Sequence, residues 1–168
     1  AADALYCGLA DGYLESSALP ELDKGLDSLN WQKSPIDDLT ALVARFAVTV
    51  LPDPPLARLR PLIDSVFAQA DVPRIVAHLR AVIAPETREW ANQTADLLQT
   101  RSPLAMAVTL EMLRRGRELP LEQCFALELH LDRQWFDRGD LMEGVRALLI
   151  DKDKNPRWNP PTLEALDS

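Results

Sequence analysis

The chain has 168 residues, 47% of them hydrophobic and 26% charged, and its 18 Lys and Arg against 26 Asp and Glu give a net charge of −8. Those values fit one soluble domain and exclude wholesale disorder. The acidic balance lacks the basic field that a phosphate backbone requires, so no nucleic-acid partner is expected.

No apolar run approaches ~18 residues, so no membrane span is expected. The opening Ala1-Ala2-Asp3 has no basic region of the kind that starts a signal peptide, and no Met. Cys7 and Cys124 stand far apart and outside metal-type spacing, which reads as free thiols in a reducing cytoplasm. No metal site and no resident cofactor are expected.

Helical periodicity dominates, and the expected class is all-α with eight or nine helices. Leu5, Cys7 and Leu9 belong to a short first helix. Residues 11–15 allow at most one short strand or a turn. Ser17 then caps a helix carrying Leu19, Leu22, Leu26 and Leu29 on one stripe. Ser34-Pro35 starts the next helix, since Pro at the first helical position lacks only an N–H that would be unpaired there. Leu51 to Pro55 reads as a stiff proline loop. Leu59, Leu62, Ile63, Val66 and Phe67 form a further helix. Asp71 caps another, with Ile75, Leu79, Val82 and Ile83 inward. Pro85 opens a helix with Trp90, Ala91, Ala95 and Leu98, and Ser102-Pro103 repeats the Ser-Pro start before Leu104 and Val108. Gly116 closes that helix beside Arg114, Arg115 and Arg117, cations that favour a helix C-terminus. Residues 121–136 are apolar on more than one face, which predicts a central, buried helix. Leu141, Val145, Leu148 and Leu149 give the last long helix. A charged, proline-rich tail follows, with a short helical piece after Pro161.

Catalytic chemistry is thin in this pattern. A nucleophilic triad needs a His beside Ser or Cys and a carboxylate, but His78 and His130 lie in helical segments and read as ordinary histidines. The carboxylate pairs Asp37-Asp38, Glu86 with Glu89, and Asp137 with Asp140 read as solvated charge. The six glycines are scattered, so no loop cradles a phosphate. Lys152, Lys154 and Arg157 beside Trp158 suit a phosphorylated adenine nucleotide through charge and stacking. By composition the same cations more readily form surface pairs with Asp151 and Asp153. No catalytic residue is assigned.

The segment Glu143 to Leu163, EGVRALLIDKDKNPRWNPPTL, resembles the C-terminal signature of the 3-hydroxyisobutyryl-CoA hydrolase branch of the enoyl-CoA hydratase/isomerase (crotonase) superfamily. SPLAMAVTLEMLRRGR, from Ser102 to Arg117, resembles the helix before it. AADALYCGLADGYLESSALPEL, residues 1–22, resembles the stretch just after that family's catalytic core. The resemblance implies that residues 1–168 form only a C-terminal region, with 1–30 the end of the core, 31–168 the helical part, and the catalytic core absent. In the family, two backbone N–H groups polarise a thioester carbonyl and an acidic residue completes the chemistry. Those groups lie upstream and map to no residue here. Pro85-Glu86-Thr87 copies the tripeptide around the family's catalytic Glu, but it lacks the following glycine loop and reads as a helix start.

By this resemblance the parent hydrolyses 3-hydroxyisobutyryl-CoA or a close 3-hydroxyacyl-CoA thioester, as in valine breakdown, or is a hydratase or isomerase using the same oxyanion hole. Coenzyme A enters as part of the substrate, Lys152 and Trp158 are the candidate contacts near its nucleotide, and a homo-oligomer is implied. Trp158 and Leu163 serve equally as a packing clamp for the tail. The chain alone is expected to be inactive. The competing expectation is a stand-alone helical interaction module without catalysis.

Overall fold

The computed structural model of the chain describes residues 1–31, 34–51 and 53–166. These fold into α-helices, short 3₁₀ turns and one π turn, with no strand among the described residues. The chain divides into two compact units, Ala1–Leu62 and Ile63–Ser168, with the division inside one helix.

The first unit holds α1 (Ala2–Tyr6), α2 (Leu19–Asp27), α3 (Pro35–Ala44) and the start of α4 (Pro55–Phe67). Gly25 lets α2 approach α3, because a Cβ there would lie 2.5 Å from Leu42 Cδ1. Leu42 is buried as a result. Asp3 Oδ1 accepts from the Leu56 N–H at 3.0 Å, satisfying a free amide in the first turn of α4. Two sequence expectations change here, at Ser17 and Ser34, while residues 11–15 stay within the expectation of at most one short strand or a turn. Residues 11–15 form no strand, and a single tie from Val48 N–H to Tyr13 O at 2.8 Å is too little for a ladder. Ser17 does not cap α2: a 3₁₀ turn, Ser16–Ala18, runs into it and Ala18 takes the cap position. Ser34 precedes α3 without a side-chain cap bond, though Pro35 takes the first helical position as expected. Of the proline loop, Leu51, Asp53 and Pro54 are non-helical, Pro55 opens α4, and Pro52 lies outside the described residues.

The second unit follows from α5 (Val72–Arg80), α6 (Pro85–Gln99), α7 (Pro103–Gly116), α8 (Leu121–Arg138) and α9 (Leu141–Val145). Asp71 caps α5 by accepting from the Arg74 N–H at 2.8 Å, and Ser102 caps α7 by accepting from the Ala105 N–H at 3.0 Å. The apolar spacing of α5 buries Val72, Ile75, Val76 and Leu79. Ala91 and Ala95, one turn apart and fully buried, give α6 the small face that packs beside α5. Arg114 of α7 donates to the carbonyls of Gln69 and Ala70 at 2.6 and 2.7 Å, which ties the α4–α5 connection to α7.

α8 is not the central helix its composition predicts. None of its residues is buried, and Leu121, Phe125, Leu129 and Phe136 are 72%, 62%, 53% and 65% exposed. At 100° per residue these four fall in one stripe, while the half-buried Cys124, Leu127, Leu131 and Trp135 form a second stripe about 120° round the helix. Only that inner side finds neighbours within the unit. The last long helix is also shorter than expected: α9 ends at Val145 and a π turn, Arg146–Ile150, closes it, with Asp151 N–H bonded to Arg146 O at 2.8 Å.

Candidate ligand-binding cavity

A cavity of about 640 Å³ opens in the second unit between the start of α7, the end of α8, α9 with its π turn, and the tail. Its apolar lining includes Ala105, Trp135, Leu141, Val145, Leu148 and Trp158. Ser102 and Asp140 are the buried polar residues on its wall. Ser102 Oγ donates to Asp140 Oδ2 at 2.5 Å, and Asp140 Oδ1 accepts from the Asn159 N–H at 2.9 Å. One carboxylate thereby joins the start of α7, the start of α9 and the tail.

The tail forms one wall through Lys154, Pro156 and Trp158. Trp158 Nε1 donates to Thr100 O at 3.1 Å, and its ring lies beside Gly144, where a Cβ would be 3.5 Å from the indole. The clamp reading of Trp158 therefore has a geometric basis, and its ring still borders the cavity. Leu163 is buried, and its 3₁₀ turn, Leu163–Ala165, packs against α5. Lys152 is exposed, with φ +56°, and Lys154, with φ +54°, lines the cavity. Both backbones sit in the left-handed region, uncommon for a residue with a Cβ.

Arg146 holds this strained loop. Its side chain, 28% exposed, pairs with Glu143 at 2.8 Å, Asp151 at 2.6 Å and Asp153 at 2.8 Å, and donates to Asn155 O at 3.1 Å. The expected pairs of Asp151 and Asp153 with the tail lysines are replaced by these bonds to Arg146. Glu143 also accepts from the Arg157 N–H at 2.6 Å. The hydrogen bonds from Arg146, and then that from Arg157, hold the Glu143 carboxyl down at about 2. The Asn155 amide and then Arg146 lower Asp153, and the carboxylates, Glu143 foremost, raise Arg146.

The other sequence candidates lie elsewhere. His78 is half-buried on α5 and His130 exposed on α8. Glu86 sits in the first turn of α6, where the helix dipole favours an acid. Both cysteines are free. Among the described residues, no cluster of His, Cys, Asp and Glu has the makings of a metal site, and no helix is long and apolar enough to cross a membrane. Sequence reading placed Ser102 only at a helix start and Asp140 only in a solvated pair, which its burial overturns, and it missed Arg146. The first two pair across 38 residues and leave no local signal. For Arg146, the two aspartates within seven residues were the available sign.

A helical region whose last helices and tail border an apolar cavity is the class that this geometry defines. The chain belongs to the enoyl-CoA hydratase/isomerase family, whose model matches residues 1–168. It is 33% identical over 167 residues, 96% of the chain, to a mitochondrial 3-hydroxyisobutyryl-CoA hydrolase of Gallus gallus, covering 42% of that protein. It is 30% identical over 167 residues, again 96% of the chain, to small ribosomal subunit protein mS47 of Arabidopsis thaliana, covering 40% of it. Its fold matches a carnitinyl-CoA dehydratase from Mycobacterium thermoresistibile with a TM-score of 0.82 and 35% identity, covering 99% of this chain and 44% of that one. The chain thus spans less than half the length of each of these proteins.

Proposed function

We propose that this chain is the helical C-terminal region of a 3-hydroxyacyl-CoA thioester hydrolase, with 3-hydroxyisobutyryl-CoA, an intermediate of valine breakdown, as its first candidate substrate. The observation that carries this reading is the match over 96% of the chain to a protein named as that hydrolase. In this proposal an N-terminal core supplies the oxyanion hole and the acidic residue. The helical region covers the thioester, with Lys152 and Trp158 near the nucleotide of coenzyme A and Leu121, Phe125, Leu129 and Phe136 buried against the core or another subunit of a homo-oligomer. The compartment proposed is the reducing cytoplasm, in keeping with the two free thiols. Alone, the chain is inactive.

The test is release of free thiol from 3-hydroxyisobutyryl-CoA. The 168-residue chain is expected to stay at background, and the product of the reading frame extended upstream of Ala1 to turn over. Turnover by the chain alone, lost on substituting one of its residues, refutes the fragment reading. No hydrolysis by the extended product refutes the hydrolase.

The second reading is a non-catalytic interaction module. Two observations favour it: the uncovered stripe on α8 and the similarity to a protein named as a ribosomal subunit component. Large uncovered apolar patches mark sites of association. This reading expects self-association or partner capture. A monomer whose sedimentation is independent of concentration counts against it.

A further inference from the structure

The cavity carries a charge pattern that the thioester reading does not use. Two of its lining residues, Arg101 and Lys154, are exposed cations. Among the described residues, neither side chain meets a carboxylate. The acids that would neutralise them are taken elsewhere. Asp151 and Asp153, adjacent to the lysines in sequence, are bound by Arg146, and Asp140 is occupied by Ser102 and Asn159. On a chain of net charge −8, two unpaired cations at one apolar opening form a local reversal of sign. The left-handed backbone at Lys154, fixed by its N–H to Ala147 O at 3.0 Å, sets that lysine against the cavity.

We propose that this cavity is a binding site for a small amphiphilic anion, with an apolar chain between the indoles of Trp135 and Trp158 and a carboxylate held by Arg101 and Lys154. The volume of about 640 Å³ holds a medium-length acyl chain. The site stands whether or not the parent is a thioester hydrolase, because its residues all lie in the second unit and need no catalytic core.

The test is titration of the 168-residue chain with decanoate, followed by calorimetry and by the tryptophan emission of Trp135 and Trp158. Decanol, the same chain without the charge, is the parallel probe. One saturable site is expected for decanoate, with an emission change that shrinks in W158F, where Trp135 alone reports from the cavity wall. The R101Q/K154Q variant should bind about tenfold more weakly, the loss of two charge-assisted contacts at an exposed edge. These two side chains make no contacts that the fold depends on, so the variant remains folded. Ala105→Leu, which fills the cavity, should weaken decanoate binding, and undiminished binding by that variant also overturns the proposal. Equal binding of decanol and decanoate, or undiminished decanoate binding by R101Q/K154Q, overturns the proposal, since either means adsorption to exposed leucines. Thiol release by the extended product tests the hydrolase separately, so the two readings fail independently.

Discussion

Ser102 and Asp140, 38 residues apart, meet in a buried hydrogen bond of 2.5 Å that holds the first turn of α7 against the first turn of α9. The same serine oxygen accepts from the Ala105 amide, and the same carboxylate accepts from Asn159. A helix cap thus doubles as a tertiary contact, and the tail is fastened to it.

Asp140→Ala removes the acceptor from two donors at once. An unmade buried hydrogen bond costs about 1–3 kcal/mol, so a loss of about 2–4 kcal/mol is expected. Urea unfolding measures it. Asp140→Asn retains an acceptor and should lose less; equal losses would mean that the charge, not the hydrogen bonding, matters.

Gly139 admits no side chain, because a Cβ would overlap the six-membered ring of Trp135. Gly139→Ala must push that indole into the cavity or distort the turn between α8 and α9. Overpacking of this kind costs about 1–3 kcal/mol. A lowered Tm with a shifted tryptophan emission is expected. An unchanged emission would show that the ring stays in place.

Leu79 is completely buried in the last turn of α5. Leu79→Ala leaves a hole in the core where α5 packs beside α6, and core truncations of this size cost about 2–5 kcal/mol. Thermal unfolding should show the largest loss of any single apolar truncation in the second unit. By contrast Asp71→Ala, which removes only the α5 cap, should cost about 1 kcal/mol.

The acid dependence of the tail follows from Glu143. Its carboxyl is held at about 2 against an ordinary 4.5, so the folded value lies below the unfolded one. The stabilisation is therefore complete above the ordinary value and is lost as pH falls toward the folded value. Amide exchange protection within 151–157, read by NMR and corrected for the intrinsic pH dependence of exchange, should hold at pH 5 and fall as pH approaches 2. In Glu143→Gln the loop amides should already be poorly protected at pH 5.

What the sequence made legible was local. Asp71 and Ser102 each stand just before their helices and cap them, and the Pro-led starts at Pro35, Pro85 and Pro103 all hold. Ser17 and Ser34 show the limit of the same signal, since a cap residue binds only if the backbone turns its oxygen toward the free amides. The apolar character of α8 was legible but its place was not: two apolar faces state that partners are needed, not that this unit provides them. The cavity was least legible. Trp158 and the tail lysines drew notice, yet Arg146 and Asp140, which place them, act through contacts that no spacing rule connects. The resemblance carried by residues 143–163 named the family where periodicity named only a class.

The turn at Leu163–Ala165 is the last element of the described chain, and it leans on α5, the most buried helix of its unit. A stop codon at Thr162 would delete no helix and none of the cavity's lining. It would nonetheless strip a cover from the unit's hydrophobic centre. Such an allele would appear as lost protein abundance through quality control, with every residue of the binding cavity still encoded.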